Sequence, residues 1–167
     1  HNPMLFSTAY YANKREIYVS AMRSKKTIMN KFGYICQEMA RDIKYYNVVC
    51  GYAYNSGFDE RVFNYNCDWF KCNNPFDNVK IKDIRGFAHQ FLVDNNYKDF
   101  CDNNEYYTES GNYSTTAEVM YRYIVDNDFN EEHTALADSI IEAEILRECL
   151  HRGADLEETY KAQKSIS

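Results

Sequence analysis

His133 and Asp138, in the run Phe129-Asn130-Glu131-Glu132-His133-Thr134-Ala135-Leu136-Ala137-Asp138, set a titratable imidazole and a carboxylate at the start of a helical pattern. The apolar residues Leu136, Ile140, Ile141, Ile145, Leu146, Cys149 and Leu150 recur at spacings of three and four, the stripe of one buried helix face. Thr134 stands at the N-cap position before that stripe, so His133 falls outside the helix and Asp138 in its first turns. Five residues carry a helix well past one turn, and the two side chains do not share a face. Both can still reach the space beyond the helix start, where the positive helix end keeps an aspartate ionised and suited to a metal ion. The same spacing also describes an exposed histidine followed by a solvated aspartate. A second acid, Asp59, closes Tyr54-Asn55-Ser56-Gly57-Phe58-Asp59, a strand end, a tight turn and a helix start. That junction is where open α/β sheets hold ligands, although an aspartate there also serves simply to favour the helix dipole.

The elements that would position these residues follow from periodicity. Phe32, Ile35, Cys36, Met39, Ile43 and Tyr46 keep helical spacing and predict a helix over 31–46. Residues 48–54 are β-rich and apolar on both faces, as in an interior strand of a covered sheet, and 79–84 alternate as a second strand. Helices are expected over 58–66, 85–94 and 96–102, with 67–78 a loop rich in turn formers. Thr115-Thr116-Ala117-Glu118 has the spacing of a capping box and opens a helix carrying Val119, Met120, Tyr123 and Ile124. The first thirty residues read as a short helix or loop and a lysine-rich connection, with Glu16–Val19 strand-like, and the polar stretch after Gly153 is expected to fray. Helices alternate with strands in the middle of the chain, so the class is α/β with a mixed sheet. Two convincing strands are few for the apolar helix faces on offer, and strands are expected to be missing on the N-terminal side.

The 167 residues suffice for one domain, read as 1–153 with a polar tail over 154–167. No apolar run approaches a membrane span and no signal-peptide pattern opens the chain. Six cysteines are scattered, with one C-x4-C pair (Cys67 and Cys72) and no partner pair of zinc type. That pattern favours buried reduced thiols over a disulfide frame or a zinc site, and with them a cytoplasmic setting. The net charge of −6 opposes general affinity for nucleic acid, but residues 1–35 carry +5 and the remainder −11. A basic flank holding Lys14, Lys25 and Lys26 beside an acidic body suits a nuclease and equally arises by chance clustering.

Taken in order, Y-N-S-G-F-D at 54–59 and H-T-A-L-A-D at 133–138 resemble the second and third motifs of the DEDDh exonucleases, in the ribonuclease H-like 3′–5′ exonuclease superfamily. T-A-Y-Y-A-N-K at 8–14 and the stretch from Gly111 to Ile124 look like a phage-encoded branch of that family, and the resemblance runs over about residues 4–152. It implies a ribonuclease H-like mixed sheet flanked by helices. It also implies hydrolysis of nucleic acid, DNA before RNA, by two Mg2+ or Mn2+ ions held by carboxylates. Asp59 and Asp138 match two of the family's four acidic positions and His133 its general base, with Asn55, Lys14, Lys25 and Lys26 placed toward substrate. The setting it implies is the cytoplasm of a phage's host.

The first motif of that family, D-x-E, is absent. The expectation is therefore a chain lacking roughly 40–60 upstream residues, taking a strand as about 5–6 residues plus connections. Such a chain is silent as a nuclease on its own and prone to self-association through an open sheet edge near Glu16–Ala21. A catalytically silent nucleic-acid- or protein-binding module on the same fold is the alternative.

Overall fold

A computed structural model describes residues 15–25, 30–125 and 135–166. Helix α1 (Arg15–Arg23) is followed by α2 (Phe32–Tyr45), strand β1 (Cys50–Ala53) and helix α3 (Ser56–Phe70). Strand β2 (Lys80–Asp83) runs straight into α4 (Ile84–Phe91), and α5 (Asn95–Asn104), α6 (Ala117–Ile124) and α7 (Ala135–His151) complete the order. The two strands pair in parallel, from Cys50 opposite Lys80 to Ala53 opposite Asp83, with α3 as the crossover. No other strand joins them among the described residues.

The mixed ribonuclease H-like sheet expected from the sequence is therefore not formed, and the fold class is corrected to a mostly helical one with a minimal parallel sheet. The reason is visible in the packing. Helices α4 to α7 bury their apolar faces against one another rather than against strands. Ile84, Phe87, Ala88 and Leu92 meet Tyr97 and Cys101 of α5, Val119 and Met120 of α6, and Ile141, Ile145 and Cys149 of α7 in one cluster. Only part of the α7 stripe takes part: Leu136 is 74% and Ile140 53% exposed. Segment 16–19, read as strand-like, lies in helix α1.

Local chemistry fixes where the central helices begin. Asp83 caps α4 by accepting the N–H of Arg85 at 2.9 Å, and the same oxygen accepts the N–H of Asn55 at 2.8 Å. One carboxylate thus joins the end of β1 to the start of α4. Asp94 caps α5 through the N–H of Tyr97, and Thr116 caps α6 through that of Val119, one residue later than the box spacing suggests. Helix α3 outruns its expected end at Asn66 by four residues.

The segment after Gly153 does not fray. It returns as a strap over α4, with Tyr160 packed edge-on against Phe87 and Phe91 at ring separations of 4.7 and 5.0 Å. Leu156 offers its carbonyl to the buried Lys82 ammonium and to the Tyr52 hydroxyl, and Ile166, itself buried, accepts the N–H of Tyr113 at 2.9 Å. Gly86 makes this approach possible, because a Cβ there would collide with the carbonyl group of Tyr160. His89 closes the contact: its Nδ1 accepts the N–H of Gln163 at 2.9 Å, while the ring is 4% exposed.

Two outcomes follow for the strap. In an unencumbered helix Gly→Ala stabilises by about 1 kcal/mol. With the strap docked, Gly86→Ala instead should destabilise by about 1–3 kcal/mol, the usual range for overpacking, and expose residues 154–166 to protease. Urea melts and limited proteolysis check it, and stabilisation would mean the strap is not there. His89 supplies the pH dependence. Burial first, then the nearby Arg85 charge, lower its pKa to about 4 against an ordinary value near 6.5, with Asp83 opposing. Between those values the unfolded chain binds a proton that the folded chain refuses. The contribution is thus complete above pH 6.5 and lost as pH falls toward 4, a loss on the order of 2–3 kcal/mol. His89→Asn keeps an acceptor for Gln163 and should flatten this part of the stability profile.

Candidate metal centre

Helix α3 ends in a Schellman motif. Lys71 adopts the left-handed conformation at φ 53°, its N–H bonds back to Asp68, and the N–H of Cys72 bonds to the carbonyl of Cys67 at 3.1 Å. That geometry folds the chain so that the side chain just past the helix end lies over the one a turn earlier. At this helix end both are cysteines. The C-x4-C spacing of Cys67 and Cys72 is therefore the spacing of the motif's own side-chain contact.

Helix α2 supplies the third thiol. Phe32 packs on Phe63 and Phe70 of α3 at ring separations of 5.4 and 5.3 Å, and Phe63 on Phe76 at 5.2 Å, in a cluster apart from the main core. One turn beyond Phe32, Cys36 enters the gap. The sulfurs of Cys36, Cys67 and Cys72 all lie within 4.8 Å of one another, and the Cys72 and Cys36 sulfurs are 3.9 Å apart. At a Zn–S distance of about 2.3 Å a tetrahedral site has S···S edges of about 3.8 Å, so contraction of under about 1 Å closes the set on a metal.

Cys36 and Cys67 are 3% and 4% exposed, and all six cysteines of the chain are free. Burial, then the neighbouring Cys36 sulfur, pushes the Cys67 thiol up to about 12. Burial also raises Cys36, with Cys72 adding to the effect. With Cys36 and Cys67 held protonated in this way, the cluster binds a cation only by releasing protons to it. Cys36 and Cys72 also line an open groove of about 720 Å3 between α2 and the segment 70–79, with Lys71, Asn73 and Asn74 on its wall. Two of the three sulfur-bearing residues thus border that groove.

The acidic residues singled out by motif are placed differently. Asp59 lies exposed in the first turn of α3. Asp138 lies half-buried in the first turn of α7, with Oδ1 shielded and without a hydrogen-bond partner among the described residues. The neighbouring turn does reach the end of β1, since the Glu142 carboxylate accepts the N–H of Tyr54 at 3.1 Å. Among the described residues, no set of three carboxylate, imidazole or thiol donors gathers at Asp59 or Asp138. Asn55 caps α3 in the left-handed region at φ 59°, and Lys25 is exposed. His133, Lys14, Lys26 and the proposed cap Thr134 lie outside the described residues.

The resemblance to the DEDDh exonucleases is corrected on these grounds. Among the described residues, the sheet that carries the carboxylates of a ribonuclease H-like nuclease is reduced to two short parallel strands, and the one donor cluster is made of sulfur, at the far side of α3 from Asp59 in sequence. The assignments as exonuclease, hydrolase and enzyme of that family fall with the architecture, and so does the silent module on that fold. No helix of the described residues is long and apolar enough to cross a membrane. No family model matches the chain, and no curated protein or solved structure matches it.

Proposed function

We propose that this protein is a zinc-binding helical module in which Cys36, Cys67 and Cys72 hold the metal and the fourth coordination position opens to the groove. The observation that carries the reading is the convergence of three sulfurs from α2 and the end of α3 to within 4.8 Å of one another. Thiolate ligands select thiophilic ions such as zinc over Mg2+ or Ca2+, which take oxygen. Three thiolates and one dication leave a net charge of −1, which the neighbouring Lys71 on the groove wall offsets. Zinc here clamps α2 to α3, two helices otherwise joined by a small aromatic cluster. Three protein ligands with one position left over is also the pattern by which zinc engages an incoming donor. A second reading, a reversible Cys36–Cys72 disulfide, is favoured by the 3.9 Å sulfur separation and the half-exposed Cys72.

Titrating the reduced, metal-free chain with Zn2+ against a chromophoric chelator separates the two. The expected result is one zinc per chain, with Cys36→Ser and Cys67→Ser each weakening binding by roughly 100-fold or more. Affinity should also fall steeply as pH drops, since protons compete for thiols held high by burial. Failure to bind zinc stoichiometrically, with loss of two thiols on mild peroxide treatment, supports the disulfide instead. Lys71→Gly relieves the left-handed strain at the helix end and should stabilise the chain by a few tenths to about 1 kcal/mol, leaving zinc stoichiometry unchanged. Thermal melts with and without zinc measure both.

A further inference from the structure

A cavity of about 380 Å3, lined by none of the three clustered cysteines, opens between the start of α4, the start of α6 and the C-terminal strap. The chain has 25 acidic residues against 19 Lys and Arg, yet none of the side chains lining this cavity is acidic, while Arg85 and Lys164 both are cationic. Arg85 is half-buried. It directs Nε and one Nη2 proton to the hydroxyl of Thr115, at 3.3 and 3.0 Å, and makes no ion pair among the described residues. The nearest carboxylate in sequence, Asp83, is engaged by the N–H groups of Asn55 and Arg85.

A partly desolvated guanidinium without a carboxylate is costly to hold unless an anion meets it, and its fork is suited to oxyanions. The surrounding donors point the same way. Thr115 is buried, and its hydroxyl, by accepting two N–H groups, is left with its own proton to give. Ala117 opens α6 on the cavity wall, and its N–H belongs to the first turn of a helix, where no intrahelical acceptor exists. Lys164 lines the cavity from the strap, so cations and N–H donors come from three separate elements. A planar carboxylate satisfies one fork; a tetrahedral dianion meets donors from three sides. The volume leaves room for more than the anion itself, and Tyr54 and Tyr113 supply aromatic wall.

We infer that this cavity is a binding site for a small phosphorylated molecule, with the phosphate held between Arg85, Lys164 and the start of α6. The site is separate from the thiol cluster and stands or falls independently of it. The test is a 15N-resolved NMR titration of the full chain with inorganic phosphate and with phenyl phosphate at fixed ionic strength, with acetate and sulfate as controls. Saturable shifts of the Thr115, Ala117 and Lys164 amides are expected, tighter for phenyl phosphate than for phosphate and absent for acetate. Lys164→Gln removes an exposed charge on the strap and should weaken phosphate binding about tenfold. Arg85→Gln should weaken it at least as much, and Arg85→Lys, which keeps the charge beside Thr115, less. No saturable shift, equal response to acetate, or an affinity unchanged in Lys164→Gln and Arg85→Gln would overturn the assignment.

Discussion

The burial of most of α4 is the constraint on which the rest of this structure depends. An eight-residue helix is too short to stand alone, and Ile84, Gly86, Phe87, Ala88 and His89 are all buried in it. β2 feeds it directly, Asp83 both caps it and ties down the end of β1, α7 covers one side, and the strap covers another. With so narrow a sheet, no strand layer is available to shield this helix. The C-terminal residues do so instead, which is why a glycine at 86 and a neutral histidine at 89 are needed. A polar segment with few large apolar residues is thereby held by the Tyr160 ring, the buried Ile166 and a handful of hydrogen bonds to its backbone.

The same arrangement separates the protein into unequal parts. The main core of α4 to α7 excludes water thoroughly, whereas α2 and α3 meet over three phenylalanines and leave much of their surface open. Phe58, Val62, Tyr65 and Trp69 of α3 are all more than a third exposed and lie at helical spacing along one side. A metal clamp contributes most where packing contributes least. Three thiols between these two helices sit where a coordinate bond does more for the fold than another methyl group would, because ligand binding to the folded state alone adds directly to stability.

Much of the local structure was legible in the sequence. The periodic stretch 31–46, the apolar run that became Cys50–Ala53, the alternating run that became Lys80–Asp83 and the helix opening at Ala135 all carry signals that tertiary contacts did not override. The loop reading of 67–78 failed because Cys67, Asp68, Trp69 and Phe70 extend α3 under the pull of Phe32, a contact from 38 residues upstream that no local window contains. The strap failed for a similar reason: its charge and polarity resemble a frayed end, and its partner, the bare backbone at Gly86, leaves no mark in hydrophobic pattern. At the site, motif spacing drew attention to Asp59 and Asp138, which gather no third donor among the described residues. The C-x4-C pair lacks the second pair that marks a zinc site in sequence. Its meaning required the helix end to be known, since only the Schellman geometry turns that spacing into a contact, and only the docking of α2 brings Cys36 to it.

Whether those three sulfurs act together is measured most directly by zinc K-edge X-ray absorption on the zinc-loaded chain. The account requires three sulfur scatterers at about 2.3 Å with one lighter atom completing the shell. In Cys36→Ser the sulfur number should drop to two. A shell of oxygen and nitrogen without sulfur, or a sulfur count unaffected by removing Cys36, would contradict it.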